Sequence, residues 1–208
     1  MVNQLHIKDI NKASEIFGRA YINYPGISYL VPNKELRNKY LKEMFKIELK
    51  FRFKCGEVFA TSPDLEGIIT WVFSDNYKIS FLDVIKNGGF SLLFKLGIKT
   101  FKRYIKIEEF YTKLHKKHID SPHWFLGPFC VDPSYQGQGL GKSLLKFLLE
   151  KADISKFPIY LYTNTERLFT FYRNNGFELI EKTFFLEGNI PFWGMIKYPN
   201  LNSSKEPR

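Results

Sequence analysis

The sequence predicts an α/β fold built on a mixed sheet, and three observations carry that prediction. Apolar runs of strand length alternate with amphipathic stretches of helical period, so the second half reads strand, glycine turn, helix, strand, helix, strand, strand. The first half reads as a short strand, two helices and a hairpin. Hydrophobic residues make up 44% of the 208-residue chain and aromatic residues 17%, enough to bury a sizeable core in one domain.

In order, Gln4 to Ile7 reads as a first strand, and Asp9 to Tyr21 as a helix with Ile10, Ala13, Ile16, Phe17 and Ala20 on one face. Pro25-Gly26 and Pro32 mark Asn23 to Pro32 as a loop. Asn33 is placed to cap a helix running to about Lys54, buried through Leu36, Tyr40, Met44, Ile47 and Phe51, with Gly56 ending it. Glu57 to Thr61 and Gly67 to Phe73 pair around the turn residues Ser62-Pro63-Asp64, and Trp71 is assigned to the core.

Ser80 to Lys117 is a basic helical region divided at Gly88-Gly89 and Gly97. Its apolar positions are Phe94, Ile98, Phe101, Ile105 and Leu114, and its polar side is rich in lysine. His123 to Val131 is the next strand. Pro128 within it requires a bulge at Gly127-Pro128, a feature that often adjoins an active site. Leu140 to Lys151 is a helix, Pro158 to Thr163 a strand, and Glu166 to Asn175 a helix closed by Gly176. Phe177 to Glu187 and Phe192 to Lys197 form a hairpin around Gly188-Asn189, and 199–208 is a polar tail.

The net charge of +10 fits either a solvated lysine surface or attraction for a polyanion such as a nucleotide cofactor or a nucleic acid. Two cysteines without ligand spacing point to reduced thiols, no metal and a cytoplasmic setting. No apolar run reaches the length of a membrane span and no signal peptide is read at the N-terminus, so no membrane insertion is expected.

The chemistry concentrates at Val131-Asp132-Pro133-Ser134-Tyr135-Gln136-Gly137-Gln138-Gly139-Leu140-Gly141-Lys142. A strand ends, glycines turn the chain, and a helix begins. Backbone N–H groups at the positive end of a helix dipole form a site for phosphate. A nucleoside-triphosphate loop would need glycine where Gln136 stands, and a dinucleotide loop would need one where Lys142 stands.

This segment resembles the acyl-CoA loop of the GNAT superfamily of N-acetyltransferases, through Gln136, Gly139 and Gly141 after a strand ending in Val131-Asp132-Pro133. Phe171-Tyr172-Arg173-Asn174-Asn175-Gly176-Phe177 resembles that family's Phe-Tyr-x-x-x-Gly-Phe element, and the run from His123 to Pro133 is similar to one branch of it. The resemblance is concentrated in 123–187, and 80–118 looks like a branch-specific insertion.

The resemblance implies a single domain over 1–198. Its sheet would be twisted and mostly antiparallel, of about seven strands, with a helical insertion between strands three and four. It implies acetyl-CoA as co-substrate, a pantetheine arm along Phe129, Cys130 and Val131, and pyrophosphate on Gln136, Gly137, Gln138, Gly139, Leu140, Gly141 and Lys142. Asn164 is a further cofactor candidate, and Leu168 departs from an asparagine common in the family. Tyr172 is implied as general acid toward the departing thiolate.

For the general base, His123 at the head of its strand is the candidate, with Glu57 and Glu66 behind it. The expected function is acetyl transfer to an amine of a small molecule or protein by direct attack in a ternary complex. The rivals are a non-catalytic acyl-CoA sensor and a basic nucleic-acid-associated protein, for which no base-reading motif is present. A homodimer is left open.

Overall fold

The computed structural model describes residues 2–76 and 84–200. Seven strands form one sheet: β1 (Asn3–Gln4), β2 (Gly56–Ala60), β3 (Gly67–Phe73), β4 (Trp124–Val131), β5 (Ile159–Thr163), β6 (Glu178–Phe185) and β7 (Ile190–Lys197), in the order β1-β2-β3-β4-β5-β7-β6. Every neighbouring pair is antiparallel except β4 and β5. The helices are α1 (Ile10–Tyr21), α2 (Pro25–Leu30), α3 (Lys34–Cys55), α4 (Phe90–His118), α5 (Leu140–Ser155) and α6 (Glu166–Arg173). The mostly antiparallel mixed sheet of the sequence reading is borne out, as is a helical region between the third and fourth strands.

One face of the sheet packs on α5 and α6 through Ile69, Trp71, Leu126, Leu144, Leu148 and Tyr172. The other packs on α1 and α3 through Phe17, Phe45, Leu49, Val58, Ile68 and Cys130. Near β5 and β7 that second face is covered by α4, through Ile107, Tyr111 and Leu114.

Three expectations need correction. The segment Asn23 to Pro32 is not a plain loop, because Pro25 occupies the first position of α2, where its missing N–H costs nothing. On α3 the buried stripe is Arg37, Leu41, Phe45, Leu49 and Arg52 with Phe51, not one through Leu36, Tyr40 and Met44. Two arginines complete the inward face: Arg37 donates to Val31 O at 2.8 Å and Pro32 O at 2.9 Å.

On α4, of the apolar positions read as one face, Phe94 is 88%, Ile98 61% and Ile105 39% exposed, whereas Leu114 is buried as read, together with Ile107, Tyr111 and His115. Gly97, at φ 82°, interrupts the helix between Phe94 and Ile98. The start of the basic region, at Ser80, lies outside the described residues. The cap by Asn33 is as read, its side chain accepting from Leu36 N at 2.9 Å.

Candidate active site

The site begins with a defect in β4. Between Ile69↔Phe129 and Trp71↔Leu126, β3 advances two residues and β4 three, so β4 bulges at Gly127-Pro128. Thr70 Oγ1 donates to Pro128 O at 3.0 Å and fixes the bulge. Proline is tolerated because no ladder N–H is required there. Beside it, β4 pairs with β5 only at Trp124↔Ile159 and Phe125↔Tyr160, and from Leu126 onward the two strands part.

The opening gap leaves β4 backbone without a strand partner. Cys130 and Asp132 turn toward β3, where Asp132 N donates to Glu66 O at 2.7 Å. By alternation Phe129 and Val131 turn toward the gap. The Phe129 N–H donates to the Tyr21 hydroxyl at 3.2 Å, and that hydroxyl donates to Phe129 O at 3.1 Å.

Three phenols meet in this region. Burial pushes the Tyr21 phenol well above its ordinary pKa, with Tyr24 and Tyr172 adding to the effect. The Tyr24 hydroxyl accepts from Asn164 N at 3.0 Å. Tyr172, on α6, is buried against Phe171 and Phe177, and its hydroxyl makes no hydrogen bond among the described residues. Burial raises its pKa as well, so it carries its proton at neutral pH.

At the C-terminal end of β4 the glycine turn takes the form expected of an anion cradle. Gly137 has φ 84° and Gly139 φ 80°, a left-handed conformation costly for other residues. Gly139 caps α5, whose first N–H groups, at Leu140, Gly141 and Lys142, have no acceptor within the helix. Gln136 braces the turn: its Nε2 donates to Val131 O at 3.1 Å, and its Oε1 accepts from Arg167 Nη1 at 3.3 Å.

Asp132 anchors the strand end, receiving Arg19 Nη2 and, at 3.1 Å, Ser134 N. Burial opposes its ionisation, but Arg19 and the Ser134 N–H outweigh burial and hold the carboxyl below its usual range.

His123 stands elsewhere, and the Asn164 side chain is taken up by contacts within the protein. His123 is 3% exposed at the head of β4, where β4 and β5 still pair, so it faces no open cleft. Its Nδ1 meets Ser121 O at 2.7 Å and its Nε2 meets His115 Nε2 at 2.7 Å. Desolvation lowers its pKa.

Asn164 is 2% exposed, accepting from the Tyr111 hydroxyl at 2.9 Å and donating to Pro191 O at 2.8 Å, and so ties β5 to α4 and β7. The Cys130 thiol lies in the α1/α3 core, where burial raises its pKa and keeps it neutral. Glu57 pairs with Lys151 at 3.2 Å, and Glu66 accepts from Thr61 and Ser62 in the β2–β3 turn.

The residues the sequence did not single out are Tyr21, Tyr24, Glu48, Arg52 and Arg167. Glu48 and Arg52 did carry a signal, an acid and a base four apart on one helix.

Among the described residues no cluster of three or more His, Cys, Asp or Glu could hold a metal ion, and no helix is long and apolar enough to cross a membrane.

The family model of an acetyltransferase (GNAT) domain matches residues 100–179. An uncharacterised N-acetyltransferase of Schizosaccharomyces pombe is 25% identical, over 98% of this chain and 85% of that protein. A Corynebacterium glutamicum structure described as histone acetyltransferase HPA2 and related acetyltransferase superposes with a TM-score of 0.67 at 17% identity, covering 98% of each chain. The PaiA N-acetyltransferase of Thermoplasma acidophilum, solved with coenzyme A, gives 0.58 at 15% identity, covering 95% of this chain and 98% of that one. The ribosomal-protein-S18-alanine N-acetyltransferase of Escherichia coli gives 0.57 at 13% identity, covering 100% and 99%.

Proposed function

From the premise that the chain belongs to the GNAT superfamily of N-acetyltransferases, we propose that it carries an acetyl group from acetyl-CoA to an amine by direct attack in the β4–β5 gap. One observation carries this reading. The parted strands leave the Phe129 N–H and C=O outside the ladder, and the same strand runs on into a glycine turn at a helix N-terminus. An extended amide-bearing arm ending in a pyrophosphate fits that combination.

The residues fit acetyl-CoA as follows. Helix N–H groups from Gly137 to Lys142 receive the pyrophosphate, with Lys142 and Arg167 near enough in the fold to add charge. Phe129 and Val131 offer backbone to the pantetheine amides, and the Tyr21 hydroxyl yields its place on Phe129. The thioester then lies toward the bulge, above Tyr172.

Most of the rate enhancement comes from holding an amine against the thioester carbonyl in a site shielded from water. Tyr172, protonated and without another partner, donates to the sulfur as the C–S bond breaks. Cys130 takes no part as a nucleophile, because a neutral core thiol is unreactive.

The test is a CoA-release assay over amines and peptides with Tyr172→Phe beside the wild type, and calorimetry with acetyl-CoA on both. The variant is expected to bind acetyl-CoA as the wild type does and to release CoA on the order of 100-fold more slowly. Equal turnover by the variant would remove the general-acid role. Binding without turnover on any acceptor would favour a sensor over an enzyme.

A further inference from the structure

Neither His123 nor the glutamates of the β2–β3 hairpin faces the gap, so the proton that an ammonium acceptor must lose has no recipient among them. One carboxylate on α3 is held beside the β4 bulge by an arginine that lies against it. Glu48 Oε1 accepts from both Arg52 Nε and Arg52 Nη2 at 2.7 Å.

Arg52 is 4% exposed and lies against the bulge: a Cβ on Gly127 would stand 2.9 Å from its Cζ. Its guanidinium also stands over the Phe125 ring, 5.8 Å from the centroid, and its Nη1 has no partner among the described residues. The Glu48 side chain remains 23% exposed, so it stays open to a solute. Its charge acts on Tyr162 of β5 and Tyr104 of α4, as does that of Glu108. Glu48 is thus held, through Arg52, beside the β4 bulge.

A buried ion pair is a weak source of stability. This one also demands glycine at 127, since any side chain there would meet Arg52 and Thr70. Arg52 holds the carboxylate in place beside the Phe125 ring, and the charges of Glu48 and Glu108 both act on Tyr104 and Tyr162, a setting of negative charge and aromatic rings that suits a cation. The lysines of α4 do not turn the wall basic, because its inward face presents Ile107, Tyr111 and Leu114.

Resting on the acetyl-transfer reading, we propose that Glu48 is the catalytic proton acceptor and that the acceptor substrate is an amine arriving as an ammonium ion. The amine gives one proton to the Glu48 carboxylate, directly or through one water. Its nitrogen forms the new bond to the thioester carbon and the C–S bond breaks. The proton left on nitrogen passes to the sulfur by way of the Tyr172 hydroxyl, and Glu48 returns its proton to solvent.

The experiment compares Glu48→Gln with wild type in CoA release near neutral pH, using ethylamine, which is protonated there, and methoxyamine, which is not. The glutamine keeps an acceptor for Arg52. Acetyl-CoA affinity is expected to be unchanged. Turnover of ethylamine should fall at least about 100-fold, and turnover of methoxyamine should stay within a few-fold. Equal losses on both amines, no loss on either, or a wild type that binds acetyl-CoA but turns over no protonated amine would overturn the proposal. A wild type that binds no acetyl-CoA would instead remove the reading beneath it.

Discussion

Both polar backbone groups of Phe129 meet a single phenol, that of Tyr21, 108 residues away in sequence. An unpaired backbone N–H and C=O in a closed gap would be costly, so the chain supplies its own partner there. If pantetheine takes the same groups, Tyr21 competes with it. Tyr21→Phe is then expected to bind acetyl-CoA at least as tightly as wild type and up to about tenfold more tightly, since a net hydrogen bond is worth roughly 1 kcal/mol. A tenfold loss by calorimetry would mean that Tyr21 holds the ligand instead of standing in for it. Gln136, Gly137 and Gly139 were legible because their roles are local: a turn and a helix start in consecutive residues. Tyr21 meets Phe129 across 108 residues, and residue type alone does not reveal such a partner.

For the elements, those with internal punctuation were read well and the orientation of long helices was not. Pro128 signalled the β4 bulge, and Asn189, at φ 47°, closes the final hairpin where Gly188-Asn189 was expected to turn it. The buried face of α3 was missed because it includes two arginines. On α3 Arg37 and Arg52 face inward. On α4 Phe94, Ile98 and Ile105 stay exposed on both sides of the break at Gly97, and burial begins only at Ile107.

The link between α1 and the end of β4 has a measurable signature. The Asp132 carboxyl titrates below its ordinary value of 3.8, so its contribution to stability is complete above that value and is lost as pH falls through the lower, folded-state value. Asp132→Asn should therefore lower the denaturation midpoint at neutral pH, and its deficit should shrink as the wild type is acidified through this window. A deficit that persists unchanged at low pH would show that the Arg19 pair contributes nothing through charge.

At the scale of the whole molecule, the order of the elements was enough to read the sheet, because a hairpin, a crossover helix and a closing hairpin leave few arrangements. It did not say which face the helical region after β3 would cover. That region packs on β5 and β7, on the same face of the sheet as α3. The net charge of +10 settles on the outside, on lysines such as Lys95 and Lys99. The inward face of α4 instead holds Ile107, Tyr111 and Leu114, so net charge says little about that face.

In the reading proposed above, the parted strands and the glycine turn together hold acetyl-CoA. The direct measurement is calorimetric titration of acetyl-CoA into wild type and Gly139→Val, with circular dichroism confirming that both are folded. Valine cannot easily adopt φ 80° and would displace the helix N–H groups. One acetyl-CoA is expected to bind per wild-type chain, with binding lost in the variant. A folded wild type that binds none, or a variant that binds equally well, would contradict the claim.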